Sequence, residues 1–312
     1  MTQRLALGID IGGTNTSFGV VTDKGELLEK GGMSTTGHKT VEEYVAALKK
    51  VIIPVLERAG IDNIHGVGVG APNGNFFTGE IAFAPNLPWK GVIPMAKLIG
   101  EALSLECKLT NDANAAAIGE MIYGAAKGMN DFILVTLGTG VGSGFVANGK
   151  LIYGHDGFAG EMGHIIAVRD GRLCGCGRHG CLETYASATG IVRTAEEWLT
   201  GRKDVNTLLT KEKLSAKAIH EAAEQGDAFA LELFAYTGKI LGQTLADMVA
   251  ITSPEAIIFF GGLARSGDLL LTHVHKHMEA NMLNVFRNKV KLLQSALPDA
   301  DAAILGASAL VW

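Results

Sequence analysis

The sequence predicts a duplicated α/β chain with a cleft between its two halves. Three observations carry that reading. IDIGGTNTSFGVV (residues 9–21) and VTLGTGVGSGFVA (residues 135–147) share one plan. Each is a strand, a Gly/Thr-rich turn and a strand, followed by a second turn at Lys24-Gly25 or Asn148-Gly149. Segments of helical apolar spacing separate and follow them. The 312 residues also make about two domains at roughly 150 residues each, enough to bury a core without disulfides.

Leu5–Ile11 is apolar and β-branched, Gly12-Gly13 breaks it, and Thr16–Val21 resumes it. Asp23–Gly25 then turns the chain into a third strand, Glu26–Lys30, which makes a β-meander. Val41, Val45, Leu48, Ile52, Val55 and Leu56 recur at helical spacing over Val41–Ala59, and Gly60 suits the C-terminal cap. Gly66–Gly70 reads as a short buried strand. Ala113–Tyr123 reads as a helix entered through Thr110-Asn111-Asp112, all good capping types. In the second half, Phe132–Leu137 is a strand, Gly138–Gly144 a glycine turn and Gly144–Ala147 a strand. Asn148-Gly149 is a hairpin turn and Lys150–Tyr153 a strand. Residues 190–250 are mostly helical, with a more charged stretch at Thr200–Lys217. Ala256–Phe260 is a last buried strand and Ala302–Leu310 a last helix.

Composition excludes several classes. Glycine accounts for 41 residues and proline for 7, against a usual glycine share of about 7%, so the glycines belong to turns and close backbone approaches. A net charge of −5 without a run of Lys and Arg argues against a nucleic-acid partner. No apolar run reaches the roughly 20 residues of a spanning helix, so no membrane partner is expected. Asp10 interrupts the N-terminal apolar stretch a signal peptide would need. The expected compartment is the cytoplasm, where thiols stay reduced.

Glycine turns at strand ends present backbone N–H groups to an anion, and Thr14, Thr16 and Thr139 add hydroxyl donors. Two such turns can grip the phosphates of one nucleotide. Two mimics are set aside. Gly144–Lys150 has P-loop spacing but Leu151 where a hydroxyl is required. Gly66-x-Gly68-x-x-Ala71 runs into Pro72, so no helix opens there. Asp10, ionisable in an apolar strand, either pairs with a backbone turn or organises Mg²⁺ through water.

Three of the four cysteines lie in LCGCGRHGCLE (residues 173–183), spaced Cys174-x-Cys176-x4-Cys181. Three thiolates completed by one imidazole make a closed structural zinc site, with His164 or His179 as the fourth ligand. The plainer alternative is three free thiols. Metal binding through His164 would draw Glu161 into the same neighbourhood as Glu183. Cys107 reads as a small core residue.

DIGGTN (10–15), NDANAA (111–116), GTGVGSG (138–144), EMGH (161–164) and CGCGRHGCLE (174–183) together resemble the ROK family of bacterial sugar kinases and repressors, over essentially the whole chain. GCLETYAS (180–187) and FAPNLPW (83–89) are most similar to its glucokinases. The resemblance implies the actin-like, hexokinase-type ATPase fold: a small domain, 1–112, with the final helix (about 302–312) packing back on it, and a large domain, 113–301. It implies Asp112 as general base and Asn86, Asn111, Asp112, Glu161, His164 and Glu183 as sugar-binding residues. It further implies His164, Cys174, Cys176 and Cys181 as zinc ligands. Asp10, Gly12, Gly13, Thr14, Asn15, Thr139, Gly140, Gly261 and Gly262 are the candidates for Mg-ATP.

The activity implied is ATP-dependent phosphorylation of a hexose, glucose first. Fructose, mannose, allose and N-acetylmannosamine are the alternatives. The family's homodimers or dimers of dimers are implied as well. Its repressors carry a DNA-binding segment ahead of this fold, for which Met1–Arg4 leaves no room. A carboxylate at a helix N-terminus stays ionised and can take a hydroxyl proton; the plainer role for Asp112 is an N-cap. Asn73 departs from a glycine that many relatives carry.

Overall fold

The computed structural model describes residues 4–202, 204–298 and 301–312. Met1–Gln3, ahead of the first strand, lie outside the described residues, as does Lys203 of the charged stretch. The chain divides into two compact units. One comprises the chain up to Met129, Leu151–Ala159 and the segment from Ala296 to the C-terminus; the other comprises Asn130–Lys150 and Gly160–Ser295.

The first unit opens with β1 (Leu5–Ile11), β2 (Asn15–Thr22) and β3 (Leu27–Ser34), the expected meander. Helix α1 (Val41–Ala59) follows, with the bounds read from sequence. Thr40 caps it by accepting from the Glu43 amide at 3.2 Å, and Gly60 closes it with φ 93°. Its apolar stripe, with Tyr44, Leu48, Ile52 and Leu56 buried, covers the sheet. Next come β4 (Ile64–Gly70), a small ribbon of β5 (Ile81–Ala82) and β6 (Val92–Ile93), α2 (Met95–Leu103), β7 (Cys107–Thr110) and α3 (Asp112–Ile122). The sheet order is β3-β2-β1-β4-β7, with β4 parallel to both β1 and β7.

The second unit repeats the plan. β8 (Phe132–Leu137) and β9 (Val141–Ala147) form an antiparallel pair. Asn148 and Gly149, at φ 51° and 69°, turn the chain into β10 (Lys150–Leu151), the double positive φ of a type I′ hairpin turn. The helices α4 (Glu183–Ala186), α5 (Ala188–Gly201), α6 (Ala216–Glu224) and α7 (Ala228–Thr252) come next. They are followed by β11 (Ala256–Phe260), α8 (Asp268–Asn281) and β12 (Lys291–Gln294). The order is β10-β9-β8-β11-β12, with β11 parallel to β8 and β12. β9 starts three residues earlier than the sequence suggested. Gly142 and Gly144 are strand residues opposite Thr136 and Leu134, so the turn shrinks to its first three residues.

The last helix, α9 (Ala302–Ala309), belongs to the first unit, against β1, β4 and α3. Glycines permit the approach. A Cβ on Gly8 or Gly68 would collide with the Ile304 or Ala307 carbonyl, and Gly119 of α3 meets Gly306. That packing keeps α3 in the first unit, whereas the division expected from sequence ran between Asp112 and Ala113. Among the described residues, no helix is long and apolar enough to cross a membrane.

Candidate active site

In the first unit, the end of β1 delivers Asp10 beside the N-terminus of α3. Gly70, its partner on β4, explains the fit: a Cβ there would lie 3.8 Å from Asp10 Oδ1 and 3.9 Å from the Asp112 Cα. Burial, and then the Asp112 charge, push the Asp10 carboxyl up to about 6. The Gly12 amide donates to the Asn15 carbonyl at 3.0 Å, closing the turn, and the Thr14 carbonyl accepts from the Thr35 amide at 2.8 Å. Gly13 lies against Asn86, whose carbonyl oxygen would be 2.7 Å from a Cβ at 13. One expectation is corrected here. Thr16, read as a hydroxyl donor to phosphate, is buried, and its Oγ1 is 2.8 Å from both Thr35 Oγ1 and the Tyr44 hydroxyl. It pins α1 to the sheet.

Asn111, not Asp112, is the N-cap of α3, accepting from the Asn114 amide at 2.7 Å. Asp112 occupies the first helical position with an exposed side chain, one oxygen accepting from the Ala113 amide at 2.9 Å.

In the second unit, Gly138–Gly140 form a turn closed by the Gly138 amide on the Gly140 carbonyl at 3.1 Å. The Thr139 carbonyl accepts from the Thr189 hydroxyl at 2.6 Å, which ties the turn to α5. Gly261, with φ 102°, presses against the Leu137 carbonyl at the end of β8. Gly262 follows it.

The cysteine loop brings His164, Cys174, Cys176 and Cys181 together, one ligand atom of each lying within 4.8 Å of the others. Cys176 and Cys181 Sγ are 3.6 Å apart, and Cys174 Sγ is 3.7 Å from His164 Nδ1. Tetrahedral zinc with arms of about 2.0–2.3 Å has ligand spacings of about 3.3–3.8 Å; these two spacings fall in that range, and three thiols with one imidazole are a donor set zinc takes. The Arg178 backbone amide, then its side chain, draw the Cys176 thiol down to about 6, while burial pushes the Cys174 thiol up. His179 stands apart, with Nδ1 3.1 Å from the Gly171 carbonyl oxygen. The structure therefore gathers His164 and not His179. Glu161 precedes the turn Met162–His164, its backbone carbonyl accepting from the His164 amide at 3.1 Å, and Glu183, opening α4, lies with Oε1 2.9 Å from Cys174 Sγ and 3.7 Å from His164 Nδ1.

Three residues went unremarked in the sequence. Arg172 is buried and donates to Glu197, to the carbonyls of Thr184 and Gly190, and to the Thr194 hydroxyl. Asn75, also buried, accepts from the amides of Phe77 and Thr78 and donates to the Asp156 carbonyl. His220 joins Gly262, Arg265 and Lys217 around a cavity of about 350 Å³ within the second unit. In the sequence Arg172 is marked only by its place between Gly171 and the first cysteine of the cluster; His220 has no such mark. Asn73 has φ 53° and donates from Nδ2 to the Ala82 carbonyl at 3.0 Å. Glycine, and after it asparagine and aspartate, adopt that φ most readily, so asparagine suits the position.

Two sheets of one plan, each opening on a strand, glycine turn and strand, define the class: a duplicated α/β ATPase fold of the actin-like type. Residues 6–312 match the ROK family, and the chain belongs to it. It is 37% identical to a glucokinase of Halalkalibacterium halodurans, over 100% of this chain and 96% of that one. It is 33% identical to an N-acetylmannosamine kinase of Escherichia coli O157:H7, over 97% of each. A ROK family glucokinase from Streptomyces griseus, solved in complex with glucose and AMPPNP, superposes with a TM-score of 0.79 at 33% identity, covering 98% of both chains.

Proposed function

We propose that this chain is a sugar kinase that transfers the terminal phosphoryl group of ATP to a hexose, glucose at its 6-hydroxyl. The observation that carries the reading is the placement of Glu183 against the His164/Cys174 corner of the cysteine cluster, a polar group built into a scaffold rather than left on a surface. A site that commits buried polar groups to hydroxyls rejects a sugar lacking one by about 10⁴-fold.

In this reading Glu161, His164 and Glu183 in the second unit, and Asn86 and Asn111 in the first, hold the sugar hydroxyls. The Asp112 carboxylate accepts the proton of the 6-hydroxyl as its oxygen attacks the terminal phosphorus, and the bond to ADP breaks. Gly12, Gly13, Thr14, Asn15, Thr139, Gly140, Gly261 and Gly262 bind ATP. Asp10, a half-buried carboxylate beside the phosphate-side turn, is the hard oxygen donor that Mg²⁺ prefers, and the ion would supply charge neutralisation on the phosphates. Zinc would be held by His164 Nδ1 and the three cysteines, fixing the loop outside the chemistry. A cytoplasmic location, where thiols stay reduced, belongs to the same reading.

The 33% identity to an N-acetylmannosamine kinase favours a second reading, the same chemistry on an amino sugar. Steady-state transfer from Mg-ATP across glucose, fructose, mannose, N-acetylglucosamine and N-acetylmannosamine decides. A kcat/KM highest for glucose supports the first reading. A kcat/KM highest for N-acetylmannosamine replaces it with the second, and no transfer to any sugar overturns both.

A further inference from the structure

Gly140 stands in the turn whose backbone is suited to phosphate, and the resemblance counts it among ATP-binding residues. Its surroundings point elsewhere. A Cβ built on Gly140 would lie 2.7 Å from Glu183 Oε2 and 3.8 Å from Glu183 Cδ, and it meets nothing else within 4 Å. Nor does the backbone require glycine, because Gly140 is not among the residues with left-handed φ. The neighbouring Gly138 meets nothing within 4 Å. So the missing side chain at 140 serves one purpose in the second unit: it leaves room for one carboxylate. On its other side the carboxylate faces the cysteine corner, with Oε1 2.9 Å from Cys174 Sγ.

We propose that Gly140 is a positioning residue for the sugar, acting through Glu183: its bare Cα sets where the Glu183 carboxylate stands and so which hydroxyl it can meet. This rests on the reading of Glu183 as a sugar ligand. The turn then does two jobs with different atoms. Its backbone N–H groups serve phosphate, and the hydrogen in place of a side chain serves the sugar. An alanine at 140 displaces only the end of a flexible side chain, a shift the fold absorbs, and it leaves the backbone N–H groups in place.

The test is calorimetric binding of glucose and of N-acetylmannosamine with no nucleotide present, alongside the KM for Mg-ATP. Wild type, Gly140→Ala, Glu183→Asp and the double variant are compared, each checked by its melting temperature. Losing one charge-assisted hydrogen bond corresponds to about tenfold or more in affinity. Gly140→Ala is expected to weaken binding of the preferred sugar, read with no nucleotide present, by that factor. The shorter aspartate leaves room for the new methyl, so adding Gly140→Ala to Glu183→Asp is expected to cost nothing further, a non-additivity that marks direct coupling. A Gly140→Ala protein that binds sugar as wild type does, or one whose loss appears only in the KM for Mg-ATP, overturns the proposal. Equal losses in both backgrounds overturn it as well. A wild type that binds neither sugar overturns the reading of Glu183 itself, a distinct outcome.

Discussion

Replacing Arg172 with methionine keeps the apolar stem and removes a guanidinium that the second unit uses in every direction. Arg172 Nε lies 3.0 Å from both Glu197 oxygens, and Nη2 lies 2.6 Å from one of them. Nη1 donates to the Thr184 carbonyl at 2.6 Å and to that of Gly190 at 3.2 Å, and Nη2 to Thr194 Oγ1 at 2.9 Å. The ring of Tyr185 lies under the guanidinium at 4.4 Å. The ion pair itself counts for little, because the Glu197 side chain is 46% exposed and such pairs contribute about 0–1 kcal/mol. The cost lies in the acceptor left behind. Thr184 belongs to the single turn of α4, whose carbonyls have no partner further along the helix, so abandoning that acceptor costs about 1–3 kcal/mol, whereas the Gly190 carbonyl keeps the Thr194 hydroxyl at 3.0 Å. Losing the ring contact adds about 1 kcal/mol. The sum is about 2–4 kcal/mol, which for a unit of this size lowers its melting transition by roughly 4–16 °C. Scanning calorimetry of the whole chain reads this directly. Arg172→Lys, which keeps the charge without the fork, should recover little of the loss. A Met variant melting within about 2 °C of wild type would refute the accounting, since on that scale the Thr184 carbonyl is satisfied without Arg172.

Asp112→Asn keeps an oxygen for the Ala113 amide but cannot take a proton. Turnover should fall by about 10²–10⁴-fold with sugar binding by calorimetry little changed, and near-normal turnover would remove the base assignment. Purified under reducing conditions, the protein should carry about one zinc per chain by elemental analysis; Cys176→Ser should lower that content and weaken sugar binding through His164. Zinc lost with sugar affinity intact would make the metal a stability element alone. Asp10 holds its proton more tightly folded than unfolded, about 6 against 3.8. Its contribution to stability is therefore full below about pH 4 and lost as pH rises to about 6, at most about 3 kcal/mol at 1.36 per tenfold. Asp10→Asn should thus melt higher than wild type at pH 7 and level with it near pH 4. An unchanged gap across that range would show that the carboxyl is not destabilised by burial.

Much of this was legible because local chemistry and global packing agree. Leu5–Ile11, Phe132–Leu137 and Ala256–Phe260 are apolar runs cut off by glycine or polar residues, and each is a strand at those bounds. In α1, the stripe, the Thr40 cap and Gly60 all mark the same ends. What escaped reading depends on distant partners. β7 and β12 (KLLQ) are four-residue edge strands, too short for any period and held only by parallel pairing. The onset of β9 was hidden because Gly142 and Gly144 look like turn residues until β8 supplies their partners. At the site, the spacing of the cysteines and glutamates revealed the cluster, but choosing His164 over His179 needed coordinates. The cap also moved, from the more conspicuous Asp112 to Asn111, because both residue types cap well and only the chain path decides.

The return of α9 to the first unit also orders the molecule in time. During synthesis β1 and β4 are made early, yet the groove over Gly8 and Gly68 stays open until the final dozen residues emerge. The second unit is a nearly complete insertion, finished by Ser295, and it can close on itself while the first still waits. A nascent chain stalled before Ala302 would therefore present one settled half and one exposed sheet, the substrate a chaperone or protease recognises.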